Sequence, residues 1–167
     1  MYKKIIIGII VVIVAASSLA AAISVLTGSA VFAQEGQKFT AQLSGQEEVP
    51  PTNSQATGTA EFTVVGQTIE YTVNVSNIQG ATAGHIHLGK PGENGIIIAT
   101  LFENESPTNE VSETGTITAD SGAFEYVTDL TTPMSGGETY VNIHTIQNPD
   151  GEIRGQITSS SGDTGGQ

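Results

Sequence analysis

The sequence contains no cysteine, and only five of its 167 residues are lysine or arginine. Without cysteine the chain has no disulfides, no thiol chemistry, no iron–sulfur ligation and no cysteine-bound zinc. All 17 acidic residues lie after residue 33, where only Lys38, Lys90 and Arg154 oppose them, so residues 34–167 carry a formal charge of 3 − 17 = −14. Such a surface repels phosphate backbones, which argues against nucleic acid as a partner.

The first 33 residues differ in composition from the rest of the chain. Two lysines precede an apolar run from Ile5 to Leu26, and Val31 and Ala33 occupy the small-x-small positions that a signal peptidase reads. The run is also long enough for a membrane anchor, since about 20 apolar residues span a bilayer. We predict a signal peptide over residues 1–33, with an uncleaved N-terminal anchor as the alternative. Either segment would place the remainder outside the cytoplasm, secreted or at the cell surface.

A sustained helical period is missing after Gln34, whereas threonine, valine and isoleucine are abundant and glycines recur at short intervals. In Thr68–Ser76, "TIEYTVNVS", apolar and polar residues alternate, which is typical of a half-buried antiparallel strand. Gly66-Gln67 suits a two-residue hairpin turn, and prolines such as Pro133 are expected between strands. The sequence predicts strands at residues 38–44, 58–65, 68–76, 83–88, 96–102, 114–119, 123–128, 139–145 and 152–158.

These strands predict an all-β fold, an antiparallel β-sandwich or barrel of immunoglobulin-like or Greek-key type with about nine short strands, after an N-terminal signal helix. Residues 34–158 are long enough for one domain with one core. Residues 159–167, "SSSGDTGGQ", have no apolar anchor and are predicted to be a disordered tail.

All three histidines of the chain fall in two of these strands. His85 and His87 share one face of "AGHIHL", because residues two apart in a strand point to the same side. In "YVNIHT" the same parity places His144 with Tyr140 and Asn142 on the face opposite the core, facing outward. If the strands are neighbours, the three imidazoles would converge on one copper or zinc ion. The alternative is that they are ordinary hydrogen-bonding or surface histidines.

Glycine-rich turns with acidic residues follow both histidine strands. Glu93, Asp150 and Glu152 are candidates for further ligands or for groups that orient the histidines, and a calcium site built from these three carboxylates is a weaker alternative. Arg154, the only arginine, is expected to form a bidentate ion pair at a strand edge. Two Asn-x-Ser/Thr acceptors, Asn74 and Asn104, are possible glycosylation sites. No motif positions a catalytic set, so the sequence predicts no enzyme activity.

Three segments of this sequence resemble the CHRD domain, the module named after chordin: "FTAQLSGQEEVPP", "AGHIHLGKPGENG" with "IIIATLF", and "YVNIHTIQNPDGEIRGQI". The resemblance covers about residues 38–158 and implies an all-β domain found in exported proteins. It carries no catalytic residues. Its characteristic positions are carried over as motif residues only: His85, His87, His144, Asp150, Gly151, Glu152, Arg154 and Gly155.

The His-x-His strand is also similar to that of copper/zinc superoxide dismutases, but this chain lacks their cysteines and has too few histidines for their two-metal site. The leading hypothesis is an exported, non-catalytic binding or envelope module whose partner is an extracellular protein or envelope component. It would contact the membrane only through an uncleaved N-terminal segment. The alternative is a copper- or zinc-binding metalloprotein that uses the three histidines.

Overall fold

The computed structural model describes residues 36–119 and 124–160. The predicted signal peptide or anchor at residues 1–33 therefore lies outside the described residues, as do residues 161–167 of the predicted tail. In the part of the chain that is described, no helix is both long and apolar enough to cross a membrane.

The regular secondary structure of the described chain is almost entirely β, as the sequence predicts. It forms nine strands, one 3-10 turn at Gly45–Glu47 and one short α-helix, α1, at Val127–Ser135. The strands are β1 Lys38–Ser44, β2 Thr57–Val65, β3 Thr68–Ser76, β4 Ala81–Leu88, β5 Ile96–Thr108, β6 Val111–Thr118, β7 Thr139–Thr145, β8 Ile153–Gln156 and β9 Thr158–Ser159.

The strands pair antiparallel in the order β5-β4-β7-β8-β1-β2-β3-β6, with β9 pairing with β1. The two outer strands, β5 and β6, follow one another in sequence, and the Tyr71 hydroxyl of β3 donates a hydrogen bond to the Leu101 carbonyl of β5. The sheet therefore curls into a nearly closed, barrel-like sandwich. Gly66 turns the predicted hairpin between β2 and β3 with a φ of 60°, a left-handed conformation that glycine adopts at little cost.

The core is formed by the inward-facing residues that alternate along strands β1 to β8. Ile69, Val73 and Val75 of β3 lie inside, as the alternation in "TIEYTVNVS" predicts. The histidine strands contribute Ile86, Val141 and Ile143 to the same core. These residues fix which way the histidines point, because their neighbours in sequence must lie on the opposite face.

Three expectations about elements are wrong. The strand predicted at residues 123–128 is absent from its described part, where α1 begins at Val127 instead, and Pro133 lies inside that helix. The residues of α1 that pack into the core are Val127, Leu130 and Met134. Ser159, which the sequence placed in the tail, pairs with Phe39 in β9, and the Ser160 amide donates to the Lys38 carbonyl.

The sequence predicts that the face of β4 and β7 that carries the histidines points outward, but in the structure this face is covered. Four residues on this face are at most 7% exposed: His87 of β4, Tyr140 and Asn142 of β7, and Arg154 of the neighbouring strand β8. Residues 89–95 and 148–151 lie over this face, as does the segment at Glu48, so the domain has a second, polar buried layer besides its apolar core.

Candidate metal centre

The three histidines come together because β4 and β7 are neighbours in the sheet. In their antiparallel register Ala83 pairs with His144, His85 with Asn142 and His87 with Tyr140. His85 and His144 are therefore diagonal neighbours on one face, and their ring centroids lie 4.9 Å apart. The ring centroid of His87 lies 6.0 Å from that of His85 and 5.9 Å from that of His144. One nitrogen from each ring can be chosen so that all three lie within 4.8 Å of one another.

Backbone carbonyls fix the orientation of two of the rings. Nδ1 of His87 lies 3.0 Å from the Gly95 carbonyl oxygen, and Nδ1 of His144 lies 2.9 Å from the Pro149 carbonyl oxygen. A carbonyl only accepts, so each Nδ1 carries the proton and each Nε2 keeps a free lone pair. Metal-binding histidines are commonly oriented in this way, with the ring nitrogen that does not bind the metal donating a hydrogen bond to a protein acceptor.

One buried nitrogen of each ring has no protein partner among the described residues. These atoms are Nδ1 of His85, Nε2 of His87 and Nε2 of His144. Buried polar atoms are nearly always bonded, so three unpartnered nitrogens in one place call for a ligand or ordered water.

Burial also keeps the three imidazoles neutral at physiological pH. Burial, with smaller contributions from the neighbouring His144 and His87, lowers the pKa of His85 to about 4. Burial lowers the pKa of His87 and of His144 as well, although the bonds to the Gly95 and Pro149 carbonyls oppose the effect. Asp150 also raises the pKa of His144, without restoring it to its ordinary value. Neutral imidazole is the form that binds a metal ion.

The two glycine-rich turns hold the centre in place. Gly95 bonds twice, since its amide donates to the Tyr140 hydroxyl at 3.0 Å while its carbonyl faces His87. Gly151 has a φ of 139°, and a Cβ there would lie 2.5 Å from the Asn142 amide and 2.7 Å from Oε1 of Glu48. Only glycine lets this turn approach the polar layer so closely.

Arg154 does not form the expected ion pair at a strand edge. Strand β8 is an interior strand between β7 and β1, and among the described residues no carboxylate forms a salt bridge with Arg154. Its guanidinium donates to Oδ1 of Asn94 and to the Lys90 carbonyl. The Cζ atom of Arg154 lies 3.4 Å from the centroid of the Tyr140 ring, and Tyr140 stacks on His87 at 4.8 Å between centroids. The next glycine is tightly packed too, because a Cβ on Gly155 would meet the Gln42 carbonyl at 2.2 Å.

The predicted carboxylates do not join the histidines as ligands or form the calcium site. Glu152 is engaged elsewhere, since it accepts hydrogen bonds from Ser54, Thr145 and Asn148. Burial raises the pKa of Glu152, but these three bonds together bring it below its usual value. Glu93 and Asp150 are exposed, and in the described chain the only group of potential ligands brought together is the three histidines.

Sequence reasoning missed Glu48 as a member of the polar layer. Glu48 is 6% exposed, and its Oε1 has no partner among the described residues. Burial raises its pKa to about 7, although Arg154 and the Val49 amide act in the opposite direction. The only signal in the sequence was a carboxylate placed next to the rigid Val49-Pro50-Pro51 segment.

The two glycosylation candidates lie on the sheet. Asn74 is exposed on β3, where its Oδ1 accepts a hydrogen bond from Ser112. Asn104 on β5 is half-buried, and its Nδ2 donates to the Ala81 carbonyl. Glycosylation at either residue stays a prediction.

The comparisons with known proteins agree with the resemblance. The family described as CHRD domain matches residues 39–157. That range contains the whole sheet from β1 to β8, except the first residue of β1, and all three histidines. The chain therefore belongs to the CHRD domain family. No curated protein matches it.

Proposed function

We propose that this CHRD domain is an exported, non-catalytic metal-binding protein in which His85, His87 and His144 hold one copper or zinc ion. Two observations carry the proposal together: each of the three histidines has one buried ring nitrogen without a partner among the described residues, and one nitrogen of each ring can be chosen so that the three lie within 4.8 Å of one another. Imidazole is a natural ligand for both metals.

The alternative of ordinary hydrogen-bonding histidines accounts less well for the arrangement. Two of the rings already have a backbone acceptor at Nδ1, and the buried second nitrogen of each points to no protein donor among the described residues. The rings are also held on neighbouring strands before any ion arrives, so little ordering entropy opposes binding.

Metal uptake tests the proposal directly. Protein produced without a histidine tag is loaded separately with copper and with zinc, and the bound metal is measured by mass spectrometry. We expect about one equivalent of at least one of them in the wild type and less than one-tenth of an equivalent in the His85→Ala/His87→Ala variant. Equal uptake by wild type and variant, or no uptake by the wild type, would contradict the proposal.

A matched control separates the imidazoles from the acidic surface. Glu61 and Glu70 are exposed and line an outer groove of the sheet, so Glu61→Gln/Glu70→Gln removes two carboxylates and leaves the histidines intact. This variant should bind as much metal as the wild type. Export is tested separately by N-terminal sequencing of protein recovered outside the cell, where a start at Gln34 indicates cleavage and Met1 a retained segment.

A second candidate function is the binding of an extracellular protein or envelope component. The observation that favours it is an outer strand of the sheet, β5, whose first residues expose Ile96 at 69% and Ile97 at 49%. An exposed strand edge accepts an additional strand from a partner. Fractionation with the cell envelope tests this function: Ile96→Lys should reduce envelope association and leave metal uptake unchanged.

A further inference from the structure

We propose that the three-histidine centre selects copper(I) over zinc(II), and that Arg154 is the residue that disfavours divalent ions there. This inference rests on the proposed metal function and specifies which ion it concerns.

The first observation is the number of ligands. The group of potential ligands in the described chain consists of three histidines, and the unpartnered nitrogen of each has almost no surface open to water. Zinc sites are almost always four-coordinate, either with four protein ligands or with three and an open position for water. Copper(I) has a filled d shell, as zinc(II) has, but it is stable with three ligands and no fourth, so a closed three-nitrogen centre suits it better.

The second observation is the charge of the ligands. All three donors are neutral imidazoles, and the groups that accept from Nδ1 of His87 and His144 are carbonyls and not carboxylates. The cost of burying an ion rises steeply with its uncompensated charge. A singly charged ion therefore enters such a centre more readily than a doubly charged one.

The third observation is a buried positive charge close to one of the ligands, His87. Arg154 is 1% exposed, its guanidinium carbon lies 3.4 Å from the centroid of the Tyr140 ring, and that ring stacks on His87 at 4.8 Å between centroids. The hydrogen bonds of Arg154 to Asn94 and to the Lys90 carbonyl hold the charge in that position.

The neighbouring carboxylates compensate this charge only in part. Glu152 bonds to Ser54, Thr145 and Asn148 and forms no ion pair with Arg154 among the described residues, and Asp150 is exposed to solvent that screens it. Glu48 interacts with Arg154, but burial raises its pKa to about 7, so it is ionised in only part of the molecules at neutral pH.

The size of the effect follows from Coulomb's law. A charge about 10 Å from the ion, at an effective dielectric constant of about 20, changes affinity by roughly tenfold for each unit of charge on the ion. Removing the charge of Arg154 should therefore strengthen zinc(II) binding by roughly a hundredfold and copper(I) binding by roughly tenfold. The ratio of the two affinities would fall by roughly tenfold.

Competition titrations test the proposal. Untagged protein is titrated anaerobically with copper(I) against a chromophoric copper(I) chelator, and separately with zinc(II) against a zinc chelator. We expect the wild type to bind copper(I) at least roughly a hundredfold more tightly than zinc(II), because ligand number and ligand charge add to the effect of Arg154. Arg154→Gln should reduce that ratio by roughly tenfold.

Two control variants isolate the charge of Arg154 from its structural role. Arg154→Lys keeps the charge and should keep most of the ratio. Lys90→Gln removes an exposed charge whose side chain pairs with Glu138, and it should leave the ratio unchanged. If Arg154→Gln does not fold, as judged by circular dichroism, the wild-type ratio still tests the preference for copper(I), and a ratio lost in Arg154→Lys would contradict the role of the charge.

The outcomes are distinguishable. Zinc(II) binding as tight as copper(I) binding in the wild type would overturn the copper(I) inference and leave the metal function standing. An unchanged ratio in folded Arg154→Gln would overturn the role of Arg154. No binding of either ion would overturn the proposed metal function itself.

Discussion

The buried carboxyl group of Glu48 shows how one residue can link the polar layer to pH. Oε1 of Glu48 and the Asn142 amide both approach the position that a Cβ would occupy on Gly151. Oε1 of Glu48 and Oδ1 of Asn142 are buried without a partner among the described residues. A protonated carboxyl group can donate where a carboxylate cannot, so this environment favours the neutral form of Glu48.

Glu48 should therefore make the folded protein less stable as the pH rises. The pKa of Glu48 is about 7 in the folded state, against an ordinary value of 4.5. The folded state binds the proton more tightly, so the stabilisation is complete below pH 4.5 and is lost as the pH rises through 7. Glu48→Gln should increase the free energy of unfolding at pH 8 by up to about 3 kcal/mol and change it little at pH 4.5.

Urea unfolding at the two pH values measures this difference, with Glu47→Gln as the control. Glu47 is the exposed neighbour in sequence, so the same loss of charge there should have little effect at either pH. A stabilisation of equal size at both pH values would show that Glu48 acts through packing and not through its proton.

At the scale of elements, the sequence predicted those features that depend on the alternation of apolar and polar residues along a strand. Strands β1, β3 and β7 have the predicted limits, because each carries a clear two-residue period against one core. The convergence of His85, His87 and His144 followed from the same parity, with the adjacency of β4 and β7 as an added assumption. The structure supplies that adjacency.

Periodicity alone did not predict the covered second face. Tyr140 and Arg154 are buried because the loop at residues 89–95 folds over them, and such a fold-back depends on tertiary contacts like the Arg154–Asn94 bond. Helix α1 was missed for a different reason. Its N-cap is Tyr126, which is not a residue typical of that position, and Pro133 within it indicates a break.

Pro133 gives a prediction for α1 itself. It is the seventh of the nine residues Val127–Ser135, beyond the first turn in which a missing amide costs nothing. Pro133→Ala restores an amide that can donate within the helix and removes the clash of the ring with the preceding turn. We expect the free energy of unfolding to increase by about 1–3 kcal/mol.

Thermal unfolding of Pro133→Ala and of the exposed neighbour variant Thr132→Ala measures this effect. The control should differ from the wild type by no more than about 0.5 kcal/mol. A lower melting temperature for Pro133→Ala would mean that the proline ring, which lines a cleft with Leu130 and Phe124, contributes more by packing than it costs the helix.

At the scale of the whole molecule, metal binding should be coupled to the stability of the domain. The three histidines connect β4 with β7, and the carbonyls that orient two of them belong to the turns at Gly95 and Pro149. An ion bound there stabilises only the folded state. At a free metal concentration of 100 times Kd the gain in unfolding free energy should be about 2.7 kcal/mol.

The pH range of this gain follows from the lowered pKa values of the histidines. In the folded domain burial, together with the neighbouring His144 and His87, lowers the pKa of His85 to about 4. Burial lowers the pKa of His87 and of His144 as well, so protons compete weakly with the ion. Histidines in the unfolded chain take up protons below about pH 6.5, so the unfolding free energy of the metal-free domain falls as the pH drops from 6.5 toward 4. The same protons do not displace the ion from the folded site.

The increase in melting temperature produced by copper(I) under anaerobic conditions should therefore persist at pH 5.5. It should be absent at every pH in His85→Ala/His87→Ala. An increase that disappears already at pH 6.5 would show that the histidines titrate as solvent-exposed groups and do not form a preformed neutral centre.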